Sequence, residues 1–269
     1  MRDLLVLMHD DAGQEARLAA ALAATRALDA HLTCLDVSIV PELATDYVTA
    51  GGKGLLRADE EAREHDNRTR MVPRLETADV SYAWIDTTGD LADSIVGAMG
   101  LTDLFVVNRD IVAGGFPDMY RLTGELLLRA PCPLLAVCES GPAFLPTGHA
   151  LIAWDGSPGA AAALRAAIPM LKLTRHVTLL TIEIDRMKLM PERAASYCGR
   201  HGVHPVVRHH CLRQENVGEA IAARAALLGA DYIVMGGYGH RPVREALFGG
   251  ATRHLLRDSS IPLLMAHAR

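Results

Sequence analysis

A glycine-rich segment in the last part of the chain holds the residues best suited to chemistry. Gly236 and Gly239 follow an apolar strand-like run, and Gly249 and Gly250 directly precede a helix-like run. Backbone N–H groups hold phosphate oxygens well where no side chain blocks the approach. A helix N-terminus adds unpaired N–H donors and a partial positive charge. Residues 231–256 therefore predict a phosphate-binding loop between a strand and a helix.

Side chains near these glycines could strengthen the hold on an anion. Met235 ends the apolar strand, and His240 and Arg241 follow it in the loop with potential positive charge. Thr252 stands in the first turn of the predicted helix, where a hydroxyl could donate to a phosphate. The alternative is that the glycines serve only a turn and a helix start. Four of them at both ends of one loop favour phosphate binding.

The chain repeats one pattern twice, and the repeat shows which elements position the loop. Leu4–Met8 and Ala150–Trp154 are apolar runs, each followed by a stretch rich in alanine and leucine that is typical of a helix. Each half closes with a short apolar run led by proline, Pro133–Val137 in the first and Pro262–Ala266 in the second. The two halves are therefore predicted to share one fold.

Short, unbroken apolar strands that alternate with helices indicate a parallel sheet covered on both faces. Each half is thus predicted to be a doubly wound, Rossmann-like α/β domain. The stretch 138–148 is rich in proline, glycine and small residues, so the predicted domains are residues 1–145 and 146–269. The closing strands are the expected contact in an internal pseudo-dimer, and further pairing into a homodimer stays open.

Composition excludes several classes of function. The formal net charge is −5 and the pI is about 6.2, which argues against a nucleic-acid-binding surface. No run approaches the roughly 20 apolar residues that span a bilayer. The start is typical of a strand rather than a signal peptide, and the five cysteines have no CxxC spacing. We expect a cytoplasmic protein with reduced thiols and no membrane partner.

Other reactive residues do not form a recognisable catalytic or metal site. His209 and Cys211 would share one face of the strand-like run 206–212, with His210 on the other, but no further ligand stands at suitable spacing. No serine stands in a G-x-S-x-G turn and no lysine in a Walker-type loop. We therefore predict no metal-ligating or catalytic residue, and at most slow ATP hydrolysis. The charge-dense stretch 55–75, preceded by Gly51 and Gly52, predicts a solvated helix face, with a partner surface as the alternative.

The loop and the strand that opens the second half resemble the universal stress protein family. Gly236-x2-Gly239-x9-Gly249 matches the family's nucleotide loop, G-x2-G-x9-G-(S/T), and Asp155-Gly156-Ser157 matches its Asp-Gly-Ser turn after the first strand. The resemblance covers nearly the whole chain as a tandem member with a fold like that of the adenine nucleotide alpha hydrolases. One departure is that glycine, not serine or threonine, stands at position 250; the hydroxyl of Thr252 is a candidate replacement.

The resemblance implies that the second half binds an adenine nucleotide in the regulation of a stress response. ATP is the expected ligand, with ADP or AMP as alternatives and Mg²⁺ carried by the nucleotide. Asp155, Gly156 and Ser157 would line the nucleoside side, and the backbone at Ile182 would meet the adenine. Asp155 and Ser157 have the alternative role of capping the next helix. A nucleotide-free interaction scaffold and a small-molecule or metal-assisted enzyme are the rival functions.

The first half lacks the glycines of this loop at the matching positions. Aligned on the repeat, Asn108 stands opposite Gly236, and Arg121 stands opposite Gly249. Asp110 and Asp118 lie between them, where their charge would repel a phosphate. We therefore predict that the first half does not bind a nucleotide in this way.

Overall fold

The computed structural model describes residues 1–39, 50–110, 117–183, 190–212, 215–237 and 250–268, with backbone alone for 50–61. Strands and helices alternate along these residues. The strands are β1 Asp3–Leu7, β2 His31–Ile39, β3 Ser81–Gly89, β4 Leu104–Asn108, β5 Leu134–Val137, β6 His149–Ala153, β7 His176–Glu183, β8 Val206–Cys211, β9 Tyr232–Gly236 and β10 Leu263–Ala266. The helices are α1 Gln14–Leu28, α2 Ala50–Glu76, α3 Leu91–Ala98, α4 Met119–Arg129, α5 Pro158–Leu171, α6 Pro191–Arg200, α7 Val217–Leu227 and α8 Gly250–Asp258.

All ten strands form one sheet in the order β3-β2-β1-β4-β5-β10-β9-β6-β7-β8. Strand pairs within each half are parallel, as the alternation of strands and helices predicts. The halves meet where β5 and β10 pair antiparallel, with Leu135 opposite Leu264. The expected contact between the closing strands is therefore present, and it is compatible with an internal pseudo-dimer. The domain boundary after residue 145 stays a prediction.

The central strands of the sheet are buried on both faces, which explains their unbroken apolar character. Successive side chains of a strand point to opposite faces, so each central strand contributes to two cores. Leu4 and Val6 pack with α1 on one side, and Leu5 and Leu7 belong to the core on the other side. Among the described helices, none combines the length and the apolar character needed to cross a membrane.

Helix α2 differs from the expectation in two respects. Its described range, Ala50–Glu76, includes both Gly51 and Gly52, so these glycines lie within the helix rather than before it. Its charge-dense surface is also not fully solvated, because Glu64 is 6% exposed and Asn67 is completely buried. Both side chains face the carboxyl end of β1, where they take part in a polar cluster described below.

One arginine links the two halves through backbone carbonyls. Arg109 follows β4 and is 3% exposed. Its Nη1 donates to the Leu256 carbonyl at 2.8 Å, and its Nη2 donates to the carbonyls of Ser259 and Ile261, the latter at 3.2 Å. These carbonyls belong to the C-terminal end of α8 and the turn after it, where a cation is favourable. The first half therefore fixes the C-terminus of the helix whose N-terminus was predicted to bind phosphate.

Candidate functional site

The carboxyl ends of β6 and β9 form a crevice in the second half. Strand order reverses between these neighbours, because β7 and β8 lie beyond β6 whereas β10 lies beyond β9. Ligands of open α/β sheets bind at such a reversal, outside the carboxyl ends of the strands. The structure therefore brings two predicted segments to one edge: the turn at Asp155, which follows β6, and Gly236, the last residue of β9.

Strands β6 and β7 separate at this edge, so that part of the β7 backbone has no described strand beside it on the β6 side. Their last ladder pair joins Ala153 to Leu180, followed by a hydrogen bond from Trp154 N to Leu180 O at 2.9 Å. Beyond this point β7 pairs only with β8, as far as Glu183. Ile182 lies in this extension with its side chain buried. Its backbone is therefore placed where the edge of a flat ring could form hydrogen bonds.

The turn after β6 combines an exposed carboxylate with a capped helix. Asp155 is exposed, and its Oδ1 accepts a hydrogen bond from Ser157 N at 2.8 Å. Gly156 has φ +77°, a conformation that favours glycine. Ser157 Oγ accepts from Ala160 N at 3.1 Å, which makes Ser157 the N-cap of α5. The capping alternative thus holds for Ser157, whereas Asp155 shapes the turn and still presents its carboxylate to solvent.

Gly236 has a packing role at the same edge. A Cβ at this position would lie 2.5 Å from both Ala160 N and Gly159 C, closer than side chains approach a backbone. The glycine therefore lets the end of β9 touch the start of α5, whether or not a phosphate binds there. His267, which sequence reasoning missed, lies beside it with Nδ1 3.0 Å from the Gly237 carbonyl oxygen. Met235 is buried in the core.

Helix α8 begins at Gly250, the position where the family pattern has a hydroxyl residue. Gly250 is exposed, and a Cβ built on it has no contact within 4 Å with the described residues outside its own helix. Thr252 is 4% exposed. Residues two apart on a helix point to different faces, so Thr252 belongs to the buried side of α8 and Gly250 to the open side. The four other predicted loop residues lie outside the described part of the chain: Gly239, His240, Arg241 and Gly249.

A second opening lies beside the Asp155 turn, between α5 and α6. This cleft, hereafter the α5–α6 cleft, has a volume of about 500 Å³ and borders Asp155 and Gly156. Its side-chain lining is set apart by cations and aromatic rings: Trp154, Arg165, Arg193, Tyr197 and Arg200. Sequence reasoning missed these residues, although the spacing of Arg193, Tyr197 and Arg200 places all three on one face of a helix.

The equivalent crevice in the first half is filled by protein. Gly13 and Gly159 occupy matching positions, one beside Asn108 and the other beside Gly236. Four residues after Gly13, the side chain of Arg17 is fully buried and donates to the carbonyls of Leu7 and His9, at 2.9 and 2.6 Å.

The same guanidinium completes its hydrogen bonds with side chains on both sides of the crevice. Its Nη1 donates to both carboxylate oxygens of Asp11 at 2.8 Å and to the Asn108 side chain. Asp110 and Asp118, the predicted repelling carboxylates, are engaged in local structure. Asp110 accepts from Glu139 N, and Asp118 is the N-cap of α4.

A buried polar cluster lies between β1, β2 and α2, next to the Arg17 side chain that fills the crevice (the Arg17 plug). His9 Nδ1 is 3.0 Å from Glu64 Oε1, and Asn67 donates to the Met8 carbonyl. Asp36 is 2% exposed, and its carboxylate oxygens have no hydrogen-bond partner among the described groups. Burial, followed by the neighbouring Glu64, raises the pKa of Asp36 to about 9. The pKa of Glu64 is lowered although burial opposes this, because His9 and Asp36 stabilise the carboxylate.

The cysteine and histidines of β8 are arranged as their alternation predicts. His209 Nδ1 is 3.0 Å from Glu183 Oε1, and Cys211 Sγ is 3.5 Å from Glu183 Oε2, so both share a face with that carboxylate. His210 instead contacts Glu215, at 2.8 Å. Within the ranges that the structure describes, no group of three or more such side chains is suited to hold a metal ion.

Fold and crevice together define a duplicated, doubly wound α/β protein. Residues 188–267 match the model of the universal stress protein family. A universal stress protein from Archaeoglobus fulgidus has a similar structure over the full length, with a TM-score of 0.74 and 17% identity, covering 98% of this chain and 96% of that one. A Pseudomonas aeruginosa protein described as a universal stress protein gives a TM-score of 0.63 at 17% identity, covering 99% of this chain and 93% of the other. No curated protein sequence matches the chain significantly.

A universal stress protein family structure from Arabidopsis thaliana, with AMP bound, resembles about half of the chain. It covers 51% of this chain and 92% of its own, with 16% identity and a TM-score of 0.35. This likeness is too low to transfer a ligand. The family match over residues 188–267 and the full-length similarity of fold agree with the resemblance recognised in the sequence: the carboxyl-terminal part of the chain is similar to the universal stress protein family, and the whole chain has a duplicated α/β fold like that of the Archaeoglobus fulgidus protein.

Proposed function

We propose that the second half binds an adenine nucleotide, ATP with Mg²⁺ in the first place, at the crevice between β6 and β9. The observation that carries the proposal is the contrast between the two crevices. In the first half the buried Arg17 guanidinium fills the space between the ends of β1 and β4. In the second half the matching positions hold Ala163 and Gly236, which bring no such side chain.

Each part of the crevice suits one part of a nucleotide. The exposed carboxylate of Asp155 can accept hydrogen bonds from ribose hydroxyls, and the open backbone edge of β7 at Ile182 can bond to an adenine edge. Gly250 starts α8 on an exposed face, where helix N–H groups favour a phosphate. Gly156 and Ser157 hold the Asp155 turn in shape. Magnesium would enter with the nucleotide phosphates, which supply oxygen ligands of the kind it prefers.

Calorimetric titration of the full chain with Mg-ATP tests the proposal. We expect saturable binding with a Kd below about 1 mM, corresponding to roughly 4 kcal/mol of binding free energy. Gly249→Val should abolish this binding with little loss of fold, because it adds a branched side chain to the phosphate loop. Gly115→Val, the same substitution at a glycine of the first half, should leave binding unchanged. No binding by the wild-type chain would refute the nucleotide proposal and leave a nucleotide-free scaffold as the better interpretation.

The rival enzyme with a protein-bound metal is separated by a second measurement. Elemental analysis of protein purified without a histidine tag should show no stoichiometric metal in the absence of nucleotide. A ratio near one metal per chain would overturn this part of the proposal. Regulation of a stress response in the cytoplasm, with slow hydrolysis at most, is the role that we propose for the nucleotide-bound protein.

A further inference from the structure

The α5–α6 cleft differs from its counterpart in the first half in a way that points to a ligand. In the first half, the 27-residue α2 covers the same region and inserts polar side chains under it. Gln14 and Asn67 both donate to the Met8 carbonyl, and Met8 is completely buried. In the second half, α6 has only 10 residues, and Trp154 at the position matching Met8 is partly exposed. Among the residues that the structure describes, the duplicated fold thus leaves open, at one site, a space that it fills at the other.

The charge of the cleft indicates that its ligand is negatively charged. Three arginines line it, Arg165, Arg193 and Arg200, against the single carboxylate of Asp155. All three arginines are exposed, and none forms an ion pair with another group in the described ranges. A local excess of positive charge in a chain of net charge −5 favours an anion. Guanidinium groups bind phosphate through paired hydrogen bonds.

The other residues that line the cleft indicate that the ligand carries an aromatic ring. Trp154 and Tyr197 are both partly exposed at the cleft, and apolar contacts come from Ala161 and Leu164 of α5. Arg200 lies over the Tyr197 ring at 5.9 Å, so a cation and an aromatic face are presented together. A cavity of about 500 Å³ is within the range of small-molecule sites.

We propose that the α5–α6 cleft binds a small aromatic phosphate monoester, with the ring against Trp154 and Tyr197 and the phosphate held by Arg193 and Arg200. This site is distinct from the crevice and does not rest on the nucleotide proposal. It lies on the helical face of the sheet, whereas the crevice lies between the ends of β6 and β9. The two sites are neighbours, because the turn at Asp155 and Gly156 borders both of them.

Phenyl phosphate is the probe, since it carries a ring and a phosphate but no nucleoside. The chain contains two tryptophans, so Trp84→Phe leaves Trp154 as the single indole reporter. Titration of this variant should change the Trp154 emission in a saturable manner. Inorganic phosphate, which lacks the ring, should bind at least about fivefold more weakly, because stacking on aromatic side chains adds affinity. Absence of saturation with phenyl phosphate would overturn the proposal, and equal affinity for both probes would overturn its aromatic part.

Charge variants identify the anion-binding residues. In the Trp84→Phe background, Arg193→Gln with Arg200→Gln should weaken phenyl phosphate binding by about tenfold or more, since two charge-assisted contacts are lost. The matched control Arg175→Gln removes an exposed arginine outside the cleft and should change affinity less than about twofold. Equal weakening by the control would show a general charge effect and refute a built site. Circular dichroism of each variant verifies that α6 remains folded.

Gly250→Asp separates this proposal from the nucleotide proposal. The substitution places a negative charge at the start of α8, where Gly250 has open space around it, so the fold should tolerate it. It should weaken Mg-ATP binding and leave phenyl phosphate binding unchanged. Loss of phenyl phosphate binding in this variant would place that probe in the glycine loop and overturn a separate site. Phenyl phosphate binding in a chain that does not bind ATP would support the cleft and refute only the crevice.

Discussion

Restoring a hydroxyl at position 250 is expected to strengthen nucleotide binding. Gly250 is the first residue of α8 as described and is exposed. A Cβ built on it meets none of the described residues outside α8 within 4 Å, so Gly250→Ser should be accommodated without repacking these residues. A serine there would present its hydroxyl on the open face of the helix N-terminus. Thr252, the other candidate donor, lies on the buried face. The family's usual hydroxyl is thus missing from the side on which a phosphate would approach.

The size of the effect follows from the type of hydrogen bond gained. A hydrogen bond to a charged group contributes about 1.5–3 kcal/mol. Because Gly250 is exposed and water competes there, we take the lower limit, which corresponds to roughly tenfold tighter binding of Mg-ATP. Gly250→Ala is the matched control, since it makes the same change in backbone entropy but adds no donor. Calorimetric titration of the three proteins at one salt concentration measures the difference. Serine binding no tighter than alanine would refute the argument about the missing hydroxyl.

Two further predictions concern the stability of the fold. Arg109→Met should destabilise the protein by on the order of 3 kcal/mol, because carbonyls at the end of α8 lose a buried donor. Denaturant titration measures this loss, and the control substitution Arg121→Met, at an exposed arginine, should be close to neutral. The second prediction concerns Asp36, whose raised pKa means that the folded state holds a proton that the unfolded state releases between about pH 4 and 9. Its contribution to the free energy of unfolding is therefore fully present below pH 4 and is lost as the pH rises. Asp36→Asn, which mimics the protonated form beside Glu64, should match wild type near pH 4 and become increasingly more stable than wild type as the pH rises toward 8. An unchanged difference in thermal unfolding across that range would contradict this.

Much of the fold could be predicted because its signals are local and repeated. The apolar runs of β1 and β6, and the proline-led strands β5 and β10, are short patterns that mark buried parallel strands. A contact between β5 and β10 was expected from their place at the end of each repeat, whereas its antiparallel direction was not predicted. The inclusion of Gly51 and Gly52 in α2 was not expected, because glycine has a low propensity for the helix interior.

The candidate site was harder to predict from the sequence, because its shape depends on contacts between segments that are distant along the chain. The glycine at position 236 was interpreted as a phosphate contact, but its close approach to Ala160 is visible only when β9 and α5 are packed together. The plug formed by Arg17 was missed, since nothing local indicates that an arginine in an alanine-rich helix will be fully buried. The spacing of Arg193, Tyr197 and Arg200 did carry a signal for the α5–α6 cleft, but a charged helix face is usually only solvated.

The two halves of the sheet have diverged in opposite directions at equivalent points. At the ends of β1 and β4, polar side chains close the crevice, with Arg17 as its centre. At the ends of β6 and β9, the matching described positions hold Ala163 and Gly236, which bring no such side chain. Arg109, one residue beyond the closed crevice, donates to carbonyls at the C-terminal end of α8, a helix of the second half. The first half is therefore more than a structural remnant, because it supplies hydrogen bonds to the half in which we propose that a ligand binds.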